Sequence, residues 1–510
     1  MININRDKPD QNITKKFTQG DNDANKQSIT KRSENYSQWF LDIISAADLA
    51  DNSPVRGCMV IKPNGYAIWE KMQMTLDKMF KKTGVVNAYF PLFIPISFLS
   101  KEAEHVEGFA TECAVVTHHR LEKNKNGKMV PAGELGEPLV VRPTSETIIY
   151  AMFAKWINSY RDLPILINQW ANIVRWEMRT KPFLRTMEFL WQEGHTAHTT
   201  REEAHARALQ MLEIYRIFAE EYMAIPIIKG TKSESEKFAG AVNTYTIEAL
   251  MQDGKALQSG TSHLLGQNFA KAFGVKFLDQ NGHEQYAWQT SWGMTTRMIG
   301  GLIMTHSDDK GLVLPPRIAP IQIVIIPIWA SEKDHQEIIQ TANSLAKQLQ
   351  DLDITVKIDD RDMRPGPKFY EWEKKGIPVR IEIGPKDMEK QSILAVRRDT
   401  GEKQSATLIG AAEHIRDLLD KIQKDLLEKA TKFRDKNIRT ADSYEEFKNI
   451  LEKGGFISAH LCLNPKCETK VKEETKATTR CTPFNQKEEL GKCIICGKES
   501  KQRVLFARSY

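Results

Sequence analysis

The segment NIVRWEMRTKPFLRTMEFLWQEGHTAH, residues 172–198, reads as two antiparallel strands joined by a loop that carries Arg179, Lys181 and Arg185. Side chains alternate along a strand with period two, so Arg175 and Glu177 are expected on one face of the first strand. An arginine beside an acid can be a structural ion pair. A basic loop at a hairpin tip also suits the grip of a polyphosphate, because guanidinium groups meet phosphate oxygens in bidentate pairs.

Around this hairpin the pattern is mixed. Strand-like runs recur at 139–142, 189–192 and 286–291, and TTREEAHARALQMLEIYRIFAEEYM at 199–223 reads as one long helix opened by threonine caps and first-turn acids. Apolar residues at helical spacing begin in SQWFLDIISAADLAD near residue 37, and a second helix over 69–80 runs toward Gly84 and the strand-like NAYFPLFIP. Residues 37–318 are thus expected to form one mixed α/β domain behind a disordered polar tail, 1–36. After GLVLPPRIAP (311–320) the order strand, helix, strand suggests parallel βαβ units over 319–408, with Ser331 and Asp334 opening a helix. Lys/Glu-rich helices are expected over 409–452, and the cysteine-rich end completes a last domain, 409–510.

The 510 residues carry 72 Lys+Arg against 66 Asp+Glu, so the net charge of +6 permits an anionic partner without demanding one. With 41% hydrophobic residues the chain is globular, and its longest strongly apolar stretch, 321–329, is too short to span a membrane. No membrane role is expected. The N-terminus lacks the apolar centre of a signal peptide, which points to a cytoplasmic protein. Five of seven cysteines crowd between Cys462 and Cys496. Cys462 and Cys467 as C-x4-C, with Cys493 and Cys496 as C-x2-C, suit a closed tetrahedral Zn2+ site of structural type. The alternative is a set of reduced surface thiols, which is also the reading for the leftover Cys481, or a partly degenerate site.

In VVRPTSETIIY (140–150), Thr144, Ser145 and Glu146 follow a strand and can face a ligand ammonium, although TSE is also a plain helix start. No G-x-x-x-x-G-K-[ST] loop, H-E-x-x-H or Rossmann glycine pattern competes. RWE, a loop and FLRTMEFLWQEGHTAH resemble motif 2 of class II aminoacyl-tRNA synthetases, specifically the prolyl-tRNA synthetase family. SPVRGCMVIKPNGYAIWEKMQ (53–73) and NAYFPLFIP resemble its motif 1 region, RPTSE its proline-recognition loop, and KALQSGTSHLLGQNF (255–269) its active-site strand. SWGMTTRMIGGL (291–302) resembles motif 3, and DDRDMRPGPKFYEWEKKGIPVRIEIGPKD (359–387) the anticodon-binding domain. The likeness covers about 37–510.

The resemblance implies an antiparallel-sheet catalytic domain with flanking helices, an α/β anticodon-binding domain and a small zinc-binding α+β C-terminal domain. It implies an enzyme that uses ATP with Mg2+ to activate L-proline and charges tRNA(Pro), working as a homodimer. Arg175 and Arg297 would be catalytic. The ATP site would comprise both arginines with Glu177, Arg185, Thr186, Gln258 and Thr295. The proline pocket would comprise Phe109, Thr144, Glu146, Trp191, Glu193, His195, Phe238 and His263, although Phe109 and Phe238 could be core residues and HTAH at 195–198 a local pair or a metal site. Anticodon contacts would come from Arg361, Lys368, Glu371, Trp372, Glu373 and Arg380, or these could be a solvated charged face. Under 100 residues separate His198 from Trp292, which leaves no room for the editing domain inserted in bacterial-type relatives and resembles the archaeal and eukaryotic type. The family's C-terminal tyrosine, here Tyr510, would pack toward the active site. The rival readings are an inactive paralogue that binds tRNA or protein, and a class II ligase for another amino acid.

Overall fold

A computed structural model describes residues 28–103, 112–329 and 331–510. Phe109 lies outside the described residues, as does most of the 1–36 tail. An eleven-stranded sheet forms the frame. Its central, antiparallel part runs in spatial order Ile227–Thr231, Asn243–Leu250, Ala256–Gly266, Trp288–Thr295, Glu188–His198 and Ile165–Val174.

Alternation assigns the two faces of this sheet. Trp292 and Met294 turn into a core with Trp69, Met72 and Phe80 from the helix Pro63–Lys81, Met211 and Tyr215 from Arg201–Ile217, and Leu302 from Arg297–His306. Ser291 and Thr295, one residue out of phase, line the cleft described below. Trp292 lies directly across from Gly194, where an added Cβ would come within 2.0 Å of the indole. Glycine is therefore the residue that lets this tryptophan cross the ladder. On the cleft side the helices Glu146–Trp156 and Asn268–Phe273 share a second core of Tyr150, Phe153 and Phe269.

The long helix begins where the threonines predict: Thr200 accepts the Glu203 N–H at 3.2 Å, and Glu203 returns to the cap. It runs to Ile217 and continues as a π-turn over Phe218–Tyr222. The expected strand at 286–291 is divided, Glu284–Tyr286 pairing locally and Trp288–Thr295 entering the large sheet.

The second unit is a five-stranded sheet in the order Val356–Ile358, Ile323–Pro327, Val379–Ile383, Ser392–Arg397, Lys403–Thr407, parallel over its first three strands and antiparallel at the last two junctions. Its helix Glu332–Asp351 starts with Ser331 accepting the Asp334 N–H. The helix Ala411–Lys436 lays Ile415, Leu418, Leu419 and Ile422 into this same core beside Leu345 and Ile381.

Beyond it, the expected run of helices to residue 452 is interrupted. Ile438–Ala441 is a strand, parallel to Phe456–His460, before the helix Tyr444–Leu451. The partner strand lies beyond the Lys/Glu-rich composition, so local charge gives no hint of it. The C-terminal strands do not form a sheet of their own: Thr482 and Pro483 pair with Thr231 and Gly230, joining these strands to the antiparallel part of the large sheet.

Candidate active site

One cleft of about 420 Å3 opens on the polar face of the sheet. Thr144, Glu146, Arg175, Glu177, Arg185, Thr186, Trp191, Glu193, His195, Phe238, Gln258, His263, Thr295 and Arg297 all line it. Residues that are far apart in sequence meet because strand register sets them side by side: Ser291 opposite His195 and His263, Thr295 opposite Trp191, Gln258 opposite Glu248.

The alternation argument for Arg175 and Glu177 does not apply, because the first strand ends at Val174. Both residues reach the cleft from the loop that follows, Arg175 still donating its backbone N–H to the Met187 carbonyl at 2.8 Å. The Arg175 guanidinium lies 5.6 Å from the ring centres of both Phe189 and Trp191, and its Nε donates to the Pro143 carbonyl at 2.8 Å. Burial lowers its pKa, while the carboxylates of Glu146 and Glu193 work to raise it.

Arg297 begins the helix Arg297–His306, its N–H donating to Thr295 Oγ1 at 3.0 Å and its Nε to the Leu184 carbonyl at 3.1 Å. Burial and the neighbouring cations Arg175, Arg185 and Arg480 push it down to about 10, against the pull of Glu248. At neutral pH it remains charged. Arg185 Nε is 3.4 Å from Glu177, whose other oxygen accepts the Arg179 N–H at 2.8 Å. Thr186 donates to the Glu188 carbonyl at 2.6 Å, fixing the loop's return to the strand. Crowded cations around an open volume are what an anion with several phosphates neutralises.

The other end of the cleft is acidic and aromatic. Thr144 donates to Glu146 Oε2, and Glu193 Oε1 accepts from Ser145 and, at 2.8 Å, from Gln169. His195 bridges Glu193 Oε2 at 3.0 Å and the Tyr150 hydroxyl at 3.2 Å. Burial works to lower its pKa, but the bond to Glu193 and the charges of Glu146 and Glu193 win and raise it. The HTAH sequence is thus not a mutual pair: His198 instead bonds Thr196 at 2.8 Å and is pushed down to about 4, chiefly by burial. His263 is neutral, held down to about 3 by burial and by His195. It bonds Thr244 at 3.0 Å and stands 4.7 Å from the Phe238 ring. Trp191 Nε1 is buried with no hydrogen-bond partner among the described residues, a donor that suits a ligand acceptor.

Lys237, Glu236, Phe189, Ser259 and Ser291 also line the cleft and escaped the sequence reading. Phe189 was accessible by alternation from Trp191. Glu236 and Lys237 sit in an irregular segment, turned locally by their N–H bonds to the Ser233 carbonyl at 3.1 and 2.9 Å.

In the second unit Arg361 grips Asp359 with two bonds, 2.8 and 2.7 Å, and Glu371 with one at 2.8 Å. Arg380 bonds Glu382 and stacks 4.1 Å from Phe369, and Glu373 lies 3.8 Å from Lys310. Lys368 and Trp372 are not on this outer face. They are 1% and 5% exposed, Lys368 donating to the Asp359 carbonyl and Trp372 Nε1 to its carboxylate at 2.7 Å. Burial works to raise Asp359, but Arg361 and Trp372 outweigh it and hold it at about 2.

The sulfurs of Cys462, Cys467, Cys493 and Cys496 lie within 4.8 Å of one another, and Cys462 is 3.6 Å from both Cys467 and Cys496. Four thiolates about 2.3 Å from a tetrahedral Zn2+ stand roughly 3.8 Å apart, so the set fits. Cys481 is no surface thiol: it is buried with Leu250, Ala256 and Phe456, and burial pushes it up to about 12. Tyr510 donates to Asp253, and its ring lies 5.2 Å from Lys181 of the basic loop.

No helix among the described residues is long and apolar enough to cross a membrane. Family models match in the same order as the units: "tRNA synthetase class II core domain (G, H, P, S and T)" over 131–306, "Anticodon binding domain" over 322–418 and "Prolyl-tRNA synthetase, C-terminal" over 444–510. The chain is 60% identical over 489 residues to a proline–tRNA ligase of Phocaeicola vulgatus, covering 94% of this chain and 99% of that one. Similar matches are 61% over 486 residues in Porphyromonas gingivalis, with 94% and 99% coverage, and 58% over 489 residues in Flavobacterium psychrophilum, with 95% and 99%. With the arginine-rich and acidic halves of one cleft on a class II sheet, and with relatives of this identity over nearly the whole length, the chain belongs to the prolyl-tRNA synthetase family.

Proposed function

We propose that this chain is a proline–tRNA ligase that makes prolyl-adenylate from L-proline and ATP, then transfers the prolyl group to the terminal adenosine of tRNA(Pro). The observation that carries this reading is the union, in one cleft, of Arg175 and Arg297 with the Thr144, Glu146, Glu193 and His195 cluster. Proline's secondary ammonium carries two N–H donors, and the carboxylates at the acidic end can accept them. Glu193 is already engaged by Ser145, Gln169 and His195, while Glu146 has Thr144 on one oxygen and can serve as the counter-charge. Phe238, Trp191 and His263 offer walls to the ring.

In the first step a proline carboxylate oxygen bonds to the α-phosphorus as the bond to the β-phosphate oxygen breaks and pyrophosphate leaves. A carboxylate is already a nucleophile at neutral pH, so no general base is required. The barrier is the approach of two anions, which fixed guanidinium groups lower by charge stabilisation and in-line positioning. Arg175 suits the α-phosphate because its orientation is set by Pro143 and two aromatic rings. Arg297, Thr295 and Arg185 suit the far phosphates, Glu177 the adenine amino group, Thr186 the loop's hold on the nucleotide, and Gln258 the nucleotide or its metal. Mg2+ bound with ATP supplies further neutralisation of the phosphates. In the second step the ribose hydroxyl attacks the prolyl carbonyl carbon and AMP leaves.

The reading extends to the other units. Arg361, Glu371, Glu373 and Arg380 can pair with splayed anticodon bases, with Lys368 and Trp372 bracing Asp359 beneath them. Cys462, Cys467, Cys493 and Cys496 would hold a structural Zn2+ whose closed four-sulfur set has no position open for chemistry. Exposed Val86, Tyr89 and Phe93 in the motif 1 region support a homodimer. The enzyme is assigned to the cytoplasm.

Amino-acid-dependent ATP–pyrophosphate exchange with proline, alanine, threonine and glycine side by side tests the activity. Strong exchange with proline, lost in Arg175→Ala, is expected. Strong exchange with another amino acid would overturn the pocket assignment, and none with any would favour the inactive paralogue.

A further inference from the structure

Phe238 and Lys237 form a wall of the cleft, yet they belong to an irregular segment between the strands Ile227–Thr231 and Asn243–Leu250. Within the catalytic unit, the Phe238 N–H donates to Thr244 Oγ1 at 2.9 Å. The Glu236 and Lys237 N–H groups donate to the Ser233 carbonyl at 3.1 and 2.9 Å, and the Asn268 amide donates to the Gly240 carbonyl at 2.9 Å. The side chains of Ser233 and Ser235 are anchored from the C-terminal unit. Ser233 donates to Glu468 Oε2 at 2.7 Å, Ser235 donates to the same oxygen, and Thr479 donates to it at 3.1 Å. One turn on along the helix Pro465–Thr475, Lys472 reaches Glu236 at 3.6 Å. Residues four apart on a helix share a face, so a single face of this helix grips the segment at three points.

The chemistry of Glu468 is unusual for a plain loop fastener. Its side chain is 7% exposed, one oxygen serves three hydroxyl donors, and Oε1 has no hydrogen-bond partner among the described residues. A buried carboxylate held this way costs desolvation that an amide or an apolar contact would avoid. What the carboxylate alone provides is a single strong acceptor that gathers Ser233, Ser235 and Thr479 to one point.

We propose that Glu468 is a positioning residue for the amino-acid pocket: by clamping Ser233 and Ser235 it sets the depth of the wall that carries Phe238. The inference rests on the pocket assignment under Proposed function. Since Glu468 directly follows Cys467, the cysteine cluster fixes the start of the helix that delivers it. The phosphate end of the cleft, built on Arg175 and Arg297, is anchored elsewhere.

The test compares Glu468→Leu, the conservative Glu468→Gln, and a Ser233→Ala/Ser235→Ala double variant that leaves the cysteines and their neighbours untouched. Each full-length protein is assayed by pyrophosphate exchange with proline and ATP varied separately, alongside melting temperature and zinc content. Glu468→Leu and the serine variant should each raise KM for proline about tenfold, with KM for ATP and kcat within about twofold of wild type. Glu468→Gln, which keeps one acceptor oxygen of weaker, uncharged kind, should recover part of the loss. The combined Glu468→Leu/Ser233→Ala/Ser235→Ala protein should be little worse than either parent, because the same contact is removed twice. Should Glu468→Leu lose zinc or fail to fold, the serine variant alone decides. Unchanged proline KM in the folded serine variant overturns the proposal, as does a parallel rise in both KM values with a large fall in melting temperature. Absence of proline-dependent exchange in the wild-type protein instead refutes the underlying pocket assignment.

Discussion

Replacing Glu248 by glutamine isolates the electrostatics of the junction between the catalytic sheet and the C-terminal strands. Glu248 is fully buried and accepts three hydrogen bonds, from Lys232 Nζ at 2.8 Å and Thr246 Oγ1 at 2.9 Å on one oxygen and from Arg480 Nε at 3.0 Å on the other, which also pairs with the terminal guanidinium nitrogen at 2.9 Å. Two of these donors are cationic, and both cations are themselves buried. Glutamine keeps the shape and one acceptor, but its amide must face either the ammonium or the guanidinium as donor against donor. Two buried cations are then left without their anion. Removing one member of such a buried set costs roughly 3–5 kcal/mol, so Glu248→Gln should destabilise by about that amount in urea unfolding followed by circular dichroism. The pH dependence has a definite sign. Burial works to raise Glu248, but Lys232 and Arg480 overcome it and leave its pKa lowered. Its contribution is therefore complete above the unfolded carboxylate value of about 4.3 and is lost as pH falls below it. The gap between wild type and variant should be full at neutral pH and should narrow in acid. A loss under about 1 kcal/mol at pH 7, or a gap that widens in acid, would refute the reasoning.

Arg175→Ala should lower kcat/KM for adenylate formation by about 10²–10³, the cost of removing one fixed donor from a developing anionic centre, read by pyrophosphate exchange; an effect under tenfold would contradict its placement. A pocket built for proline excludes larger residues more readily than smaller ones, and a missing methylene is worth only about 1–3 kcal/mol. Alanine should thus support measurable exchange, while purified enzyme should leave alanyl-tRNA intact; observed deacylation would refute the second half. Metal analysis should give one zinc per chain, lost in Cys462→Ser together with a fall in melting temperature, and full zinc retention in that variant would overturn the four-cysteine set. Sedimentation should show a dimer, weakened by Phe93→Asp.

The hairpin at the heart of the site was legible because its signals are local: two strand-like runs, a basic loop between them and a threonine-capped helix that follows. Cysteine spacing was legible for the same reason. The convergence of Gln258, His263 and Arg297 on Arg175 came only through resemblance, since it depends on which strands pair and in what register. Reach along the chain also defeated local reading. Arg480 completes a charge cluster on Glu248, and Glu468 fastens Ser233, from more than two hundred residues away. The Lys/Glu-rich composition announced helices after residue 409 but could not say that Ala411–Lys436 would join the core of the unit before it. Lys368 and Trp372 looked like outward equipment because a list of residue types carries no direction; the turn of Pro365–Lys374 aims both at Asp359.

Charging of tRNA(Pro) tests the central claim most directly. The full-length protein, given ATP, Mg2+ and radiolabelled proline, should place proline on the terminal ribose of a tRNA(Pro) transcript, and should fail to do so when Arg175 or Arg297 is replaced by alanine. Charging with a different amino acid, or undiminished charging by the two arginine variants, would contradict the account.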